Sequence, residues 1–164
     1  MKRLLIFVGA AVAIALTVAA CGSRASATGA TTVATKQIGG TGTVLVNTAG
    51  LPLYTKNQDT AAMAQCNGAC ATVWPPLTIA AGSPSGTSAA GSLGVIALSN
   101  GTRQVTVNGK PVYTFSFDKA GKVTGNNAKD QFGAHKFTWR VVTTSGTAAS
   151  SGSGKGGSSS GSRY

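Results

Sequence analysis

The chain has 164 residues, with 14 Lys or Arg, three Asp, no Glu and one His, and carries a net charge of +11. This length allows one domain, or two at most. A single His excludes a His-rich zinc centre, and three carboxylates leave little for paired-carboxylate glycosidase chemistry. No nucleophile-elbow pattern surrounds any Ser. The composition therefore predicts a protein that is not an enzyme.

Residues 1–20 have the pattern of a bacterial lipoprotein signal peptide. Lys2 and Arg3 precede an uncharged apolar run, Leu4–Ala20, and Cys21 follows directly. After cleavage such a Cys becomes the N-terminus and carries acyl chains such as palmitate, of which more than one is needed for stable anchoring. We therefore expect attachment through Cys21 to the extracytoplasmic face of the cell membrane. The alternatives are an ordinary signal cut nearby or an uncleaved anchor, because a run of about 17 residues is at the lower limit for spanning a bilayer.

Two segments of low complexity surround the expected folded region. Residues 21–38 are rich in Ser, Ala, Thr and Gly, which predicts a flexible tether. Residues 145–164 contain 14 Gly or Ser and bury too little apolar surface to offset chain entropy, which predicts a disordered tail. Residues 39–144 remain, and they are long enough for one modest core.

The pattern within residues 39–144 predicts an all-β fold. Val44–Val46 and Leu51–Tyr54 flank the turn-forming residues 47–50, as in a hairpin. Further along, two Asn-Gly turns, the strongest short hairpin signal, separate three apolar or β-branched runs. These runs are Gly94–Leu98, Arg103–Val107 and Pro111–Phe117, which predict a three-stranded meander. A last strand is expected at Lys136–Thr143.

The chain also contains an internal repeat with an offset of 59 residues. Gly50, Pro52, Tyr54, Thr55 and Asp59 recur as Gly109, Pro111, Tyr113, Thr114 and Asp118. A tryptophan follows each copy, Trp74 and Trp139 respectively. Units of about 50 residues are too small to stand alone, so we expect two β-meander-like units packed as one domain.

The second copy, Tyr113–Asp118, fits a Tyr-x-aromatic-x-x-Asp motif, and Cys66 and Cys70 precede Trp74-Pro75-Pro76. In these features the chain resembles a family of bacterial secreted-repeat proteins and predicted lipoproteins. The first copy departs from the motif, with Lys56 where the family prefers an aromatic residue. The resemblance implies an envelope location and a repeat architecture, and implies no chemistry.

The motif residues have two interpretations. Tyr54, Tyr113, Phe115, Phe117 and the tryptophans are expected in the core, where aromatic side chains dominate burial in small domains. Asp59 and Asp118 are expected to accept backbone N–H groups in Asx turns. The alternative is that Tyr54, Asp59, Tyr113, Phe115 and Asp118 form a binding surface.

Cys66 and Cys70 are the cysteines left once Cys21 is lipidated, and an even pair in an exported domain predicts a disulfide. The alternative is a copper or redox site, because soft and borderline ligands suit copper when thiols are reduced. Its ligands would be Met63, Cys66, Cys70 and His135.

The net positive charge of the chain indicates which classes of partner it could bind. Without Lys2 and Arg3 the chain keeps 12 basic residues against three Asp, a net charge of +9. The basic residues are scattered singly and are not interleaved with aromatics, which argues against nucleic acid. We expect attraction to anionic lipid or wall polymers. The sequence thus predicts a lipid-anchored, non-catalytic binding or structural module of the envelope, with a copper or redox accessory protein as the alternative.

Overall fold

The computed structural model describes residues 32–60 and 63–144. Strands dominate this part of the chain, and one five-residue α-helix and one 3₁₀ turn accompany them, so the all-β prediction is confirmed. The elements in chain order are β1 Ala34–Ile38, β2 Gly42–Val46, β3 Tyr54–Lys56, α1 Ala69–Val73, β4 Thr78–Ile79, the 3₁₀ turn Ser88–Ala90, β5 Leu93–Ala97, β6 Arg103–Val107, β7 Lys110–Pro111, β8 Lys129–Phe132 and β9 His135–Val141. No helix in the described ranges is long and apolar enough to cross a membrane.

Each repeat begins with an antiparallel hairpin. β1 pairs with β2 in the first repeat, and β5 pairs with β6 in the second. β1 and β5 begin and end 59 residues apart, at Ala34–Ile38 and Leu93–Ala97, so the offset seen in the motif holds for whole strands. We call residues 34–79 the first repeat and residues 93–143 the second.

The folded region begins earlier than predicted. The tether was expected to extend through residue 38, yet its last five residues form β1. The reason is that β1 bonds to β2 along its whole length, while Val33 and Ile38 bury their side chains at its two ends. The predicted signal peptide at residues 1–20, Cys21, the predicted tether up to residue 31 and the predicted tail at 145–164 lie outside the described residues.

The turns follow the chemistry expected of them. In the first hairpin turn, Asn47 Oδ1 accepts the backbone N–H groups of Ala49 and Leu51 at 3.0 and 2.9 Å. Asn108 and Gly109 both have positive φ, 49° and 77°, which an Asn-Gly turn between twisted strands requires. The meander β5–β6–β7 is therefore confirmed.

The third strand of that meander is shorter than predicted, because it ends at Pro111 instead of Phe117. Tyr113 pairs as an isolated bridge, and a turn follows in which the Asp118 N–H donates to the Phe115 carbonyl at 3.1 Å. This turn directs Phe117 outward, with 59% of its surface exposed. The expectation that Phe117 belongs to the core is therefore wrong.

The two repeats exchange strands. β3 of the first repeat pairs with β9 of the second, placing Lys56 opposite Trp139. In the mirrored arrangement, Thr114 and Ser116 of the second repeat donate to the Pro75 and Val73 carbonyls of the first, at 2.9 and 3.0 Å. Each half of the domain is thus built from both repeats, and neither repeat can complete its sheet alone.

The exchange brings both tryptophans to the centre. Trp74 and Trp139 are fully buried and stack with ring centroids 4.0 Å apart and planes 9° apart. Around them lies an aromatic cluster that includes both motif tyrosines and Phe115. An aliphatic cluster built on Leu45, Leu53 and Val105 completes the core.

Candidate functional site

The two motif tyrosines meet at the centre of the domain. The Tyr54 N–H donates to the Tyr113 carbonyl at 2.8 Å, and the Tyr113 N–H returns a bond to the Tyr54 carbonyl at 2.9 Å. Both residues are fully buried. Because equivalent residues of the two repeats pair reciprocally and antiparallel, a pseudo-twofold axis passes between them. The predicted common core for the two copies is confirmed.

Each tyrosine reaches the aspartate of the other repeat. The Tyr54 hydroxyl donates to Asp118 Oδ2 at 2.5 Å across 64 residues of sequence. On the opposite side, Tyr113 lies beside Asp59, and burial together with the Asp59 charge raises the pKa of Tyr113. Burial, followed by the bond to Asp118, likewise raises the pKa of Tyr54. Both tyrosines therefore stay protonated as hydrogen-bond donors.

Asp118 closes the loop that follows it. Its Oδ1 accepts the Thr124 N–H at 2.9 Å and the Thr124 hydroxyl at 2.6 Å. The neighbouring Gly125 N–H donates to the Tyr54 hydroxyl oxygen at 3.3 Å. With the three hydrogen bonds that it accepts from Tyr54 and Thr124, Asp118 has the architecture of an Asx-type loop closure, as its structural interpretation expected.

Asp59 closes the equivalent loop of the first repeat and carries an additional partner. Its Oδ1 accepts the Gln65 N–H at 3.1 Å, the counterpart of the Thr124 bond six residues after Asp118. The same oxygen pairs with the Lys56 ammonium, and both side chains are 0% exposed. Desolvation lowers the pKa of Lys56, and the Asp59 charge opposes that shift in part.

Lys56 occupies the position that Phe115 occupies in the second repeat. Phe115 stacks on Trp74 with centroids 4.2 Å apart, whereas the Lys56 ammonium lies 4.4 Å from the centroid of the Phe137 ring. Sequence reasoning recognised Lys56 as a departure from the motif and missed its burial. The signal that could have predicted this burial is the position of Lys56, which lies 59 residues before Phe115, an aromatic residue expected in the core.

The predicted disulfide is present. Cys66 and Cys70 are bonded, with Cα atoms 5.2 Å apart, and the bond brackets the start of α1. The Trp74 N–H donates to the Cys70 carbonyl at 2.8 Å. The disulfide thus holds the short helix whose end places Trp74 in the core.

The residues of the copper alternative are not assembled. The bonded cysteines offer no thiolate, and Met63 is 57% exposed. His135 lies at the start of β9, where it stacks on Phe137 with centroids 6.1 Å apart. Within residues 32–60 and 63–144, no three His, Cys, Asp or Glu side chains are grouped so that they could hold a metal ion.

A cleft of about 590 Å³ lies beside the disulfide. Residues from the loop before α1 and from the β5–β6 turn line it, and none of its lining side chains is charged. They include Met63, Cys66, Pro76, Leu98, Asn100 and Thr102. Its chemistry suits a neutral group and offers nothing to a charged one. Sequence reasoning did not identify this cleft, because its walls are far apart in the chain.

All three carboxylates of the chain are used internally. Asp59 and Asp118 make the bonds described above, and Asp130 Oδ2 accepts the Trp74 indole N–H at 2.5 Å. The basic residues, in contrast, lie mostly at the surface. Those exposed or half-exposed in the described part of the chain are Lys36, Arg103, Lys110, Lys119, Lys122, Lys129, Lys136 and Arg140. Within residues 32–60 and 63–144 the ion pair that the structure shows is the buried Lys56–Asp59 pair, so none of these surface cations is ion-paired with an Asp.

Six of these eight cations form two groups. Lys36 extends its ammonium over Gly50 and Gly121, where the Gly121 N–H bonds to the Gly50 carbonyl at 3.0 Å, and Lys119 and Lys122 flank that contact. We call Lys36, Lys119 and Lys122 the loop cations. One face of the β8–β9 pair carries three cations: Lys129, Lys136 and Arg140. Lys129 lies opposite Thr138, and Lys136 and Arg140 lie two residues before and after Thr138 on the same face of β9. We call these three the strand cations.

Comparison with protein families matches two segments of the chain. A family model described as a secreted repeat of unknown function matches residues 37–78 and 94–143, which together exceed half of the chain. No curated protein and no solved structure matches. The two matched segments correspond to the two repeats that exchange strands in the fold. The chain therefore belongs to this family of secreted repeats, and its location is extracytoplasmic.

Proposed function

We propose that the protein is a lipid-anchored, non-catalytic module on the extracytoplasmic face of the bacterial membrane that binds phosphate-rich anionic components of the envelope. The observation that carries the proposal is the set of surface cations that have no Asp ion-pair partner within residues 32–60 and 63–144. All three Asp side chains make hydrogen bonds inside the fold, while the loop cations and strand cations remain at the surface. Phosphodiester groups of anionic lipid headgroups and of anionic wall polymers share the chemistry that such a surface attracts.

The structural use of the aspartates also supports a non-catalytic role. Asp118 closes a loop by accepting the Thr124 N–H, and Asp130 accepts the indole N–H of Trp74. Asp59 pairs with the Lys56 ammonium. A general acid or base must be within hydrogen-bond reach of a substrate. These buried or half-buried carboxylates already have partners within the protein.

The anchor has its own test. Cys21→Ser removes the acceptor for lipid, so the variant should be released into the medium or remain unprocessed. Membrane fractionation and detergent-phase partitioning measure this. A correctly processed variant that partitions into detergent as the wild type does would contradict lipidation at Cys21.

Binding is tested by titrating the protein against vesicles of anionic lipid and, separately, against a soluble poly(glycerol phosphate). A Lys near an anionic membrane surface contributes about 1 kcal/mol. Lys36→Gln, Lys119→Gln and Lys122→Gln combined should therefore weaken vesicle binding by roughly 100-fold. Neutralising the strand cations instead, with Lys129→Gln, Lys136→Gln and Arg140→Gln combined, tests the second group and should weaken vesicle binding by a similar factor.

The two ligands distinguish lipid from wall polymer as the source of phosphate. Binding must also weaken as salt rises, because the Debye length is about 10 Å at 0.1 M. Absence of binding to either ligand at low salt would overturn the proposal. Stoichiometric copper in protein isolated from its native compartment would favour the copper alternative.

A further inference from the structure

Lys56 and Asp59 form an amine–carboxyl pair that is sealed from solvent. Both side chains are 0% exposed, and Lys56 Nζ bonds to Asp59 Oδ1. The pair lies under the Phe137 ring and among residues of the aromatic cluster. A nucleophilic nitrogen is thereby held against a carboxyl group at a site from which water is excluded.

Charge separation is disfavoured at such a site. Two charges removed from water each carry a desolvation penalty, and a proton that passes from ammonium to carboxylate leaves two neutral groups. Burial lowers the pKa of Lys56, in the direction that favours the free amine. A neutral amine beside a neutral carboxylic acid is the reactant pair for amide formation.

Further groups are placed to assist the reaction. The Gln65 N–H donates to Asp59 Oδ1, the oxygen that would become the amide carbonyl oxygen. Asp59 Oδ2 and the Tyr113 hydroxyl are both buried, and the two groups interact with each other. Tyr113 lies beside this carboxyl group and stays protonated. It is thus available as a proton donor.

We propose that Lys56 and Asp59 condense into an intramolecular isopeptide bond between Nζ and Cγ. The Lys56 amine attacks Asp59 Cγ, and the Cγ–Oδ2 bond breaks. Oδ2 leaves as water, with the carboxylic proton and one proton from Nζ. Tyr113 relays the latter by giving its hydroxyl proton to the leaving oxygen and recovering one from nitrogen. The balance is one amine and one carboxylic acid converted to one amide and one water, without oxidant or cofactor.

The second repeat provides an internal comparison. Asp118 occupies the equivalent position, but Phe115 stands where Lys56 stands, and the Tyr54 hydroxyl is bonded to Asp118 Oδ2. The Asp118 site therefore has a tyrosine and no amine, whereas the Asp59 site has both a tyrosine and an amine. The arrangement required for condensation occurs at Asp59 and not at Asp118.

The test is the mass of tryptic peptides from the purified full chain after denaturation and reduction of the disulfide. The bond predicts that trypsin fails to cleave after Lys56. The peptide Gln37–Arg103 should then appear one water lighter than its sequence mass, with no fragmentation between Lys56 and Asp59. Cleavage after Lys56 with full-mass products would overturn the proposal.

Two variants separate this bond from a cyclic imide at Asp59, which also loses one water. Lys56→Met abolishes the isopeptide bond, so loss of water that persists in this variant would contradict the proposal. Asp59→Asn should still react and lose ammonia instead of water. Asp118→Asn is the matched control and should leave the mass deficit at Lys56 unchanged. If a variant fails to fold, the wild-type peptide mass and fragmentation decide the question.

Discussion

The Asp59 loop and the Asp118 loop have the same backbone plan and different interiors. In both, the aspartate accepts the N–H of the residue six positions later, at 3.1 and 2.9 Å. At the position three residues before the aspartate, one loop has Phe115 stacked on Trp74 and the other has Lys56 bonded to Asp59. The repeat thus conserves the bond that closes the loop and allows the core contact beneath it to change from aromatic to ionic.

The change is tolerated because the replacement has a partner in reach. A buried ammonium without a partner is costly, and Asp59 provides the opposite charge from within the same loop. The Phe137 ring provides a second favourable contact through its face. The variants below test whether the two loops are equivalent in the fold and unequal in their electrostatics.

The largest loss of stability is expected when Tyr54 or Tyr113, the paired tyrosines of the two repeats, is truncated. Tyr54→Ala and Tyr113→Ala should each cost about 3–5 kcal/mol, as large aromatic deletions in cores do. Because the repeats exchange strands, either variant should unfold in one transition with a lower midpoint, measured by calorimetry. Two separate transitions would show that the halves are independent. The two variants should also be alike within about 1 kcal/mol, since both side chains are fully buried.

Removal of one aspartate should distinguish the loops. Asp59→Ala leaves the buried Lys56 side chain without its partner and should cost about 3–5 kcal/mol. Asp118→Ala removes hydrogen bonds to Tyr54 and Thr124 and should cost about 1–3 kcal/mol. Urea denaturation of both variants measures the difference. Lys56→Met combined with Asp59→Ala should recover stability relative to Asp59→Ala, and a double variant as unstable as the single one would contradict the electrostatic cause.

Alkaline pH should destabilise both halves through the tyrosines. The pKa of Tyr54 and that of Tyr113 are raised, primarily by burial, so the folded protein keeps two protons that the unfolded chain releases above pH 10. Stability is therefore fully present below pH 10 and falls as pH rises further, by about 1.4 kcal/mol per pH unit for each tyrosine. Denaturation series between pH 9 and 11 measure the slope. Tyr54→Phe should halve it, and an unchanged slope would mean that Tyr54 titrates normally in the folded state.

The smallest effect is expected at Phe117. Its side chain is 59% exposed, whereas Phe115 is 8% exposed and stacks on Trp74. Phe117→Ser should therefore cost no more than about 1 kcal/mol, the size of its edge contact with the Phe115 ring at 5.2 Å, while Phe115→Ala should cost about 3–5 kcal/mol. Thermal unfolding of the two variants measures both. A large loss on Phe117→Ser would indicate that this ring is covered in the native protein.

Much of the fold could be predicted because its signals are local. The Asn-Gly turns require positive φ at adjacent residues, and the alternation of apolar residues follows the two-residue period of a strand. The repeat appears as identical residues at a constant offset. The Cys66–Cys70 pair closes a loop of four residues, so sequence spacing alone brought its atoms within reach.

The errors occurred where a local pattern met a long-range contact. Phe117 continues the alternation of Tyr113 and Phe115, yet the turn closed by Asp118 rotates it outward. Ala34–Ile38 has the composition of a tether, yet pairing with β2 makes it a strand. In both places a backbone hydrogen bond prevailed over side-chain composition.

The sequence by itself determined a β fold of two related units, a disulfide, an excess of basic over acidic residues and the identity of the five motif residues. Only the tertiary structure decided that the units exchange strands, that Tyr54 bonds to the aspartate of the other repeat, and that Lys56 is buried. The physical reason is separation along the chain. Turns, periodicity and composition are properties of neighbouring residues, whereas the Tyr54–Asp118 bond joins groups 64 residues apart. The burial of Lys56 depends on Phe137, a residue of the other repeat.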